Sequence, residues 1–399
     1  MKTYAVLLSE PSVISAYPFS SRPVFVAFFL YAFALGTLFP RLGDLQLEIG
    51  LSESELGLSL IGLPLGVQLS LLVANRIVNY FKLAQIMIFG LIMITSSYTA
   101  AALFSTPELF FLTLLMAGLS VGPLEVAVNL EADRVEYGIK QRIINRSHAF
   151  WSLGFFATGL SGALMAQLGV PVVLHFAGFS LLIVALTIFS FSDFTQAPPR
   201  PSAKTSTPKF VRPSTAIMML VCLTLSAMLA EGAAIDWSVI YMRDIFATLP
   251  LISGLALALT AFFQFITRYF GDYFVVQYGP HKVAKICLWI MFAGVTLVAV
   301  APAWPLALVG FACLGAGSSV IFPLAMSAAA QLKDRPAAVN VAALAQISFV
   351  VFLLAPPLLG LVAEFIGIRY AFAICLPLAV LSLFSLRSLS LTPSSTEKK

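Results

Sequence analysis

The sequence predicts an all-α membrane protein with twelve transmembrane helices in two six-helix pseudo-repeats, and three observations support this prediction. Of the 399 residues, 60% are hydrophobic and 10% are charged, whereas a soluble domain carries about 25% charged residues. Apolar runs near the roughly 20 residues needed to cross a bilayer occur twelve times. A polar stretch rich in proline, serine and threonine separates the first six runs from the last six.

Prolines and polar residues separate the apolar runs, and Pro107 and Pro171 mark two of the breaks. The polar stretch at 192–214 is predicted to be a cytoplasmic linker. It divides an N-terminal six-helix bundle, 1–191, from a C-terminal six-helix bundle, 215–399. The predicted spans are 23–41, 55–74, 83–104, 109–130, 148–168, 172–191, 215–237, 251–271, 283–301, 305–327, 339–362 and 370–388.

The basic residues predict the orientation of these spans. With the N-terminus in the cytoplasm, 20 lysines and arginines fall on the cytoplasmic side, and 3 fall on the other side, namely Arg41, Arg243 and Arg369. Cytoplasmic loops carry the excess of basic residues in membrane proteins. The sequence therefore predicts a multi-pass protein of a bacterial-type inner membrane, with both termini in the cytoplasm.

Composition also excludes several function classes. The net charge of +5 is spread singly between apolar runs, so no patch for nucleic acid is expected. The four cysteines lie inside apolar runs without metal-site spacing, and we expect neither a metal nor a cofactor. Three scattered histidines offer no clustered catalytic group, so the chain is not expected to be an enzyme. The lipid bilayer is the partner that this composition predicts.

Carboxylates inside the predicted spans are the leading candidates for function, because an ionised one costs ~2.5–3.5 kcal/mol at the bilayer centre. Glu125 lies in the fourth span, with Asn129 four residues later on the same helix face. His148 opens the fifth span and could exchange a proton with Glu125 across a cavity. The structural alternative for Glu125 is a carboxylate satisfied by a neighbouring helix.

The seventh span contains two further acids, Glu231 and Asp236. A spacing of five residues places them about 140° apart around a helix, so we expect them to face different surroundings. Trp151 and Trp237 lie beside His148 and Asp236, where their rings could stack on a sugar-like ring or simply join the interfacial aromatic belt. Pro323 predicts either a kink or a place where carbonyls face a cavity.

The loop after the eighth span reads RYFGDYFVVQYGPHK. It resembles the cytoplasmic motif of major facilitator superfamily transporters, in which a carboxylate at one helix end holds a neighbouring helix by a charge-assisted bond. The alternative is an ordinary charged turn. The candidate gate residues are Arg268, Gly271, Asp272, Gly279 and Lys282.

Five segments together resemble the fucose-permease-like, or YbjJ-like, branch of the major facilitator superfamily. They are GLSVGPLEVAVN (118–129), HAFWSLG (148–154), EGAAIDWS (231–238), the loop above and PPLLGLVAE (356–364). The resemblance implies a monomeric secondary transporter, with Glu125 in proton-coupled uptake of a sugar-like or other small polar solute. The first span lacks the acid found in fucose permease, which puts fucose itself in doubt. Export of small molecules on the same fold is the alternative.

Overall fold

The computed structural model describes residues 20–199 and 213–390, and all regular elements within these ranges are helical. Twelve of the described helices are long and apolar enough to cross a membrane, and each corresponds to one predicted span, so the predicted fold class is confirmed. These helices are α1 (Arg22–Ile49), α2 (Glu53–Tyr80), α3 (Leu83–Ala101), α4 (Pro107–Ile139), α5 (Ile144–Gln167), α6 (Val172–Phe191), α7 (Thr215–Phe246), α8 (Pro250–Tyr278), α9 (Pro280–Val300), α10 (Trp304–Gln331), α11 (Ala337–Ile366) and α12 (Ile368–Leu389).

Side-chain caps explain where several helices begin. Thr106 accepts a hydrogen bond from the Leu109 amide, and Pro107 occupies the first position of α4. Ser214 caps α7 through the Ile217 amide. Each cap satisfies one of the amides that a helix leaves without an internal partner.

Two helices continue well past their predicted ends. Helix α4 runs to Ile139 and α7 to Phe246, because charged residues stop the apolar run but not the helix. Both helices end where a residue takes a left-handed conformation, Lys140 with φ 54° and Ala247 with φ 48°. Hydropathy therefore predicts the membrane-embedded part of a helix and misses its extension beyond the bilayer.

Helix α10 is interrupted between Ser318 and Ile321. Pro323 accounts for the break, because it lacks the amide hydrogen that the Ser319 carbonyl would accept four residues earlier. That carbonyl accepts a bond from Arg268 Nε at 3.2 Å instead. The structure therefore shows a break of the helix at Pro323, and the freed Ser319 carbonyl is bound by Arg268.

An even number of spans places both described chain ends on one face of the bundle, called here the terminal side, and the other face is the opposite side. Residues 1–19, 200–212 and 391–399, and with them the termini and most of the predicted linker, lie outside the described residues. At the start of the linker, the Ala197 amide donates to the buried Glu131 carboxylate at 2.7 Å.

The three arginines assigned to the opposite side all bind backbone carbonyls there. Arg41 donates to Val170 O at 2.9 Å, Arg243 to Gly43 O at 2.7 Å, and Arg369 to Ala301 O at 2.8 Å. Val170 and Ala301 lie in loops, and Gly43 lies in the last part of α1. The three arginines that lie away from the basic side of the protein therefore each have a defined structural partner.

Candidate functional site

A cavity of about 400 Å³ lies between the two halves of the bundle. Helices α1, α2, α4 and α5 form its first-half wall, and α7, α8 and α11 form its second-half wall. Its polar and charged lining residues are Tyr31, Gln68, Glu125, His148, Trp151, Glu231, Asp236 and Arg268. The remaining wall is apolar. We call this space the central cavity.

Glu125 lies on the α4 wall of the central cavity and is held there by Asn129. The Asn129 amide donates to Glu125 Oε1 at 2.8 Å and to the Glu125 backbone carbonyl at 2.9 Å. The buried Tyr31 hydroxyl of α1 also interacts with this carboxylate. Asn129 itself does not line the cavity, so it positions the carboxylate from behind.

Arg268 and Glu231 form an ion pair at the cavity wall, with Arg268 Nη2 3.3 Å from Glu231 Oε1. Arg268 Nη1 also donates to Ser152 Oγ of α5 at 2.9 Å. Together with the bond to Ser319 O, these contacts use all three guanidinium nitrogens. One side chain of the second half thereby joins α7, the α10 break and a helix of the first half.

The expectation that Glu231 and Asp236 face different surroundings is wrong, because both line the central cavity. Gly232 and Ile235 line it with them, so α7 contributes positions 231, 232, 235 and 236. At 100° per residue these positions span about 140° of the helix. The cavity is wide enough to take that whole arc.

Asp236 differs from the other two lining carboxylates in its partners. Within the described part of the chain, its carboxylate has no hydrogen bond or ion pair, although it faces the central cavity. Its neighbour Trp237 is fully buried and lines neither large cavity. Trp151 does line the central cavity, and its ring packs 4.3 Å from that of Phe155.

A second cavity of about 430 Å³ adjoins the first toward the terminal side. His148 and Arg268 line both cavities, so these two side chains form the junction between them. The edge of the His148 ring packs against Phe28, with centroids 5.1 Å apart. A path from the terminal side to Glu125 therefore passes His148 and Arg268.

On the opposite side the two halves are in close contact. A Cβ on Gly57 of α2 would lie only 2.6 Å from the Pro356 carbonyl of α11, and one on Gly360 only 2.5 Å from the Glu53 carbonyl. Any larger residue would force the helices apart. Arg243 of α7 adds a bond to Gln46 Oε1 of α1 at 2.8 Å. These contacts close the opposite side of the central cavity.

Comparison with known proteins shows what this architecture is similar to. Residues 219–399 match the sequence model of the Major Facilitator Superfamily. This match covers most of the C-terminal bundle, so that part of the chain is similar to members of the superfamily. It is also 27% identical over 359 residues to "Uncharacterized transporter y4wD" of Sinorhizobium fredii, which covers 88% of this chain and 93% of that protein. The prediction that the chain is not an enzyme is confirmed, because this family consists of transporters.

Solved transporters share the fold of this chain. The nucleoside transporter NupG superposes with a TM-score of 0.66 at 15% identity, over 94% of this chain and 99% of that chain. The outward conformation of the transporter FucP gives a TM-score of 0.64 at 19% identity, over 93% and 98%. At these identities the likeness shows the fold alone, and the fucose-permease-like branch stays a prediction.

The candidate gate residues of this chain divide into two groups. Arg268 lies at the cavity junction rather than at the terminal-side loop. Asp272 does lie near the loop, where it accepts a hydrogen bond from Asn145 of α5, and both residues line the second cavity. Gly271 packs α8 against the α10 break, since a Cβ there would lie 3.3 Å from Val320 Cγ1.

Gly279 and Lys282 shape the end of α8 and line neither large cavity. Gly279 has φ 78°, a conformation that most other residues avoid, and it separates α8 from α9. The Lys282 ammonium lies 5.1 Å from the centroid of the Tyr278 ring. Gly279 and Lys282 build the turn, whereas Asp272 contacts α5 of the first half.

Proposed function

We propose that this chain is a secondary active transporter that moves a small polar, sugar-like solute by alternating access, in symport with protons. The central cavity between the two halves supports the proposal, because it places an intramembrane carboxylate, Glu125, beside a space large enough for a small solute. The solute would bind between Glu125 and the α7 wall. The bundles at 1–191 and 215–399 would rock about it.

Alternating access requires contacts that break when the halves rock. On the opposite side the candidates are the Gly57–Pro356 approach and the Arg243–Gln46 bond. Toward the terminal side, the Asn145–Asp272 bond is the candidate latch. In the described arrangement, solute would exchange through the second cavity, past the junction at His148 and Arg268.

Glu125 is the proposed proton-coupling residue. An ionised carboxylate is costly inside a membrane unless it is paired or hydrated. Asn129 and Tyr31 stabilise the charged form while the cavity is open to water. Protonation removes the charge and makes closure of the cavity on both sides less costly. His148, at the junction, would relay the proton toward the terminal side.

The excess of lysine and arginine supports a cytoplasmic terminal side and an inner-membrane location, as proposed from the sequence. The second cavity would then open to the cytoplasm. A monomer is the proposed working unit, since the central cavity is built from one chain.

Export of small amphiphilic molecules is the second candidate. Much of the central cavity wall is apolar, including Leu63, Val67, Leu71 and Phe352. Such a wall suits a partly hydrophobic compound better than a sugar. In a deletion strain, greater accumulation of toxic amphiphiles with unchanged sugar uptake would favour export.

Solute-dependent alkalinisation of the medium by de-energised cells tests the symport proposal. Cells that express the chain are exposed in turn to sugars, amino sugars, sugar acids and amino acids. At least one solute should cause alkalinisation in wild type and in Glu108→Gln, an exposed carboxylate outside the cavity. Glu125→Gln should abolish it. Normal alkalinisation by that variant would remove Glu125 from the coupling role.

A further inference from the structure

The central cavity contains more potential negative charge than its protein partners balance. Its wall carries three carboxylates, whereas Arg268 is the permanently charged cation among its lining residues. Glu231 pairs with that guanidinium at 3.3 Å. Glu125 and Asp236 are left without a basic partner among the described side chains.

These two remaining carboxylates are not equivalent. Glu125 has donors from Asn129 and Tyr31, which stabilise its charge and position it. Asp236 has no such donor in the part of the chain that the structure describes, and its carboxylate faces the cavity. A desolvated carboxylate without a partner is unfavourable, and a cation in the cavity would supply the missing counter-charge.

The lining of the central cavity suits an organic cation. Tyr31, Trp151 and Phe155 present aromatic side chains to the same cavity, and aromatic faces attract ammonium groups. Among the described residues, no three His, Cys, Asp or Glu side chains are grouped to hold a metal ion. A metal ion would therefore lack a full set of protein ligands. An ammonium group does not need such a set.

We propose that the solute carries a protonated amine and that Asp236 binds this amine in the central cavity. This inference rests on the proposed transport function and narrows its solute to amine-bearing small polar molecules. Glu125 then carries the coupled proton, and Asp236 carries the solute charge. Glu125 and Asp236 then have separate roles, which explains why only Glu125 of these two has protein donors.

Ligand binding to detergent-purified full-length chain tests the proposal. The probes are glucosamine, galactosamine and mannosamine, each measured beside its parent hexose and its N-acetyl derivative, together with phenylethylamine beside phenylethanol. At mildly acidic pH, at least one amine should bind about tenfold or more tightly than its neutral counterparts. This preference should disappear in Asp236→Asn and persist in Asp236→Glu and in Asp193→Asn, an exposed carboxylate outside the central cavity.

Two results would overturn the inference: amines that bind no more tightly than their neutral counterparts, or an amine preference that survives in Asp236→Asn. Neither result would overturn proton-coupled transport, which is tested separately by proton flux in Glu125→Gln. If a neutral sugar binds and drives proton flux through Glu125, the proposed function stands. The inference that the solute carries an amine is then wrong.

Discussion

Arg268 and Glu231 form a partly buried ion pair at the wall of the central cavity, with 3.3 Å between Nη2 and Oε1. Their side chains are 14% and 15% exposed. The same guanidinium donates to Ser152 of the other half and to the carbonyl that Pro323 leaves without a donor. The pair therefore links charge in the cavity to the packing of α8 against α5, α7 and α10.

The stability losses from removing each partner of this ion pair should not add, because either single change leaves the other charge uncompensated. Glu231→Gln alone leaves the Arg268 charge without its partner, which costs about 3 kcal/mol for a buried pair. The double variant Glu231→Gln with Arg268→Met should lose less stability than the sum of the single variants. Thermal unfolding of the purified variants measures this. Additive losses would show that the pair contributes little.

Pro323→Ala should raise stability and lower transport. The substitution restores an amide that can bond the Ser319 carbonyl within α10, so the helix gains an internal hydrogen bond and Arg268 loses an acceptor. Thermal unfolding and solute uptake, measured on the same preparation, test both effects. Pro302→Ala, in the loop before α10, is the matched control and should change neither. Unchanged uptake in Pro323→Ala would show that transport does not need the break in α10.

Gly57→Val should prevent the opposite side from closing. A Cβ at this position would lie 2.6 Å from the Pro356 carbonyl, which is backbone and cannot rotate away. We expect at least a tenfold loss of uptake with normal membrane insertion. Gly178→Val is the control, because nothing lies within 4 Å of a Cβ there. Equal uptake by the two variants would show that the close contact between α2 and α11 is not needed for transport.

Arg243→Gln should loosen the opposite side without blocking it. The variant loses bonds to Gly43 O and Gln46 Oε1, worth about 1–2 kcal/mol together. That loss corresponds to roughly a fivefold or greater shift of the conformational equilibrium toward the arrangement in which the opposite side is open. Labelling of Leu60→Cys, in the cavity wall, by a polar thiol reagent from the opposite side reports the shift. The four native cysteines are first replaced, and unchanged labelling would contradict the latch role of Arg243.

The sequence was sufficient to predict the spans and part of the site. Apolar run length reflects the bilayer directly, and the four-residue spacing of Glu125 and Asn129 is a local helical relationship, so both could be read from the sequence alone. The helix extensions past Leu130 and Trp237 could not, because caps rather than hydropathy end them.

The contacts between distant residues were not predictable from the sequence. Glu231 and Arg268 are 37 residues apart, and Asn145 and Asp272 are 127 apart, so only the packing of the helices brings them together. Tyr31 was missed because a tyrosine in an apolar run does not differ from a packing residue until its neighbour is known. One signal was present: a proline four residues after Ser319 indicates a free carbonyl that needs a donor.

The measurement that tests the central claim most directly is solute movement by the purified chain in proteoliposomes, with and without an imposed pH gradient. The probe is the solute that causes alkalinisation in cells. Wild type should accumulate it when the gradient favours proton entry. Glu125→Gln should still exchange the labelled solute across the membrane at equilibrium, yet lose gradient-driven accumulation at least tenfold. If Glu125→Gln accumulates the solute as wild type does, the account of Glu125 as the coupling residue is contradicted.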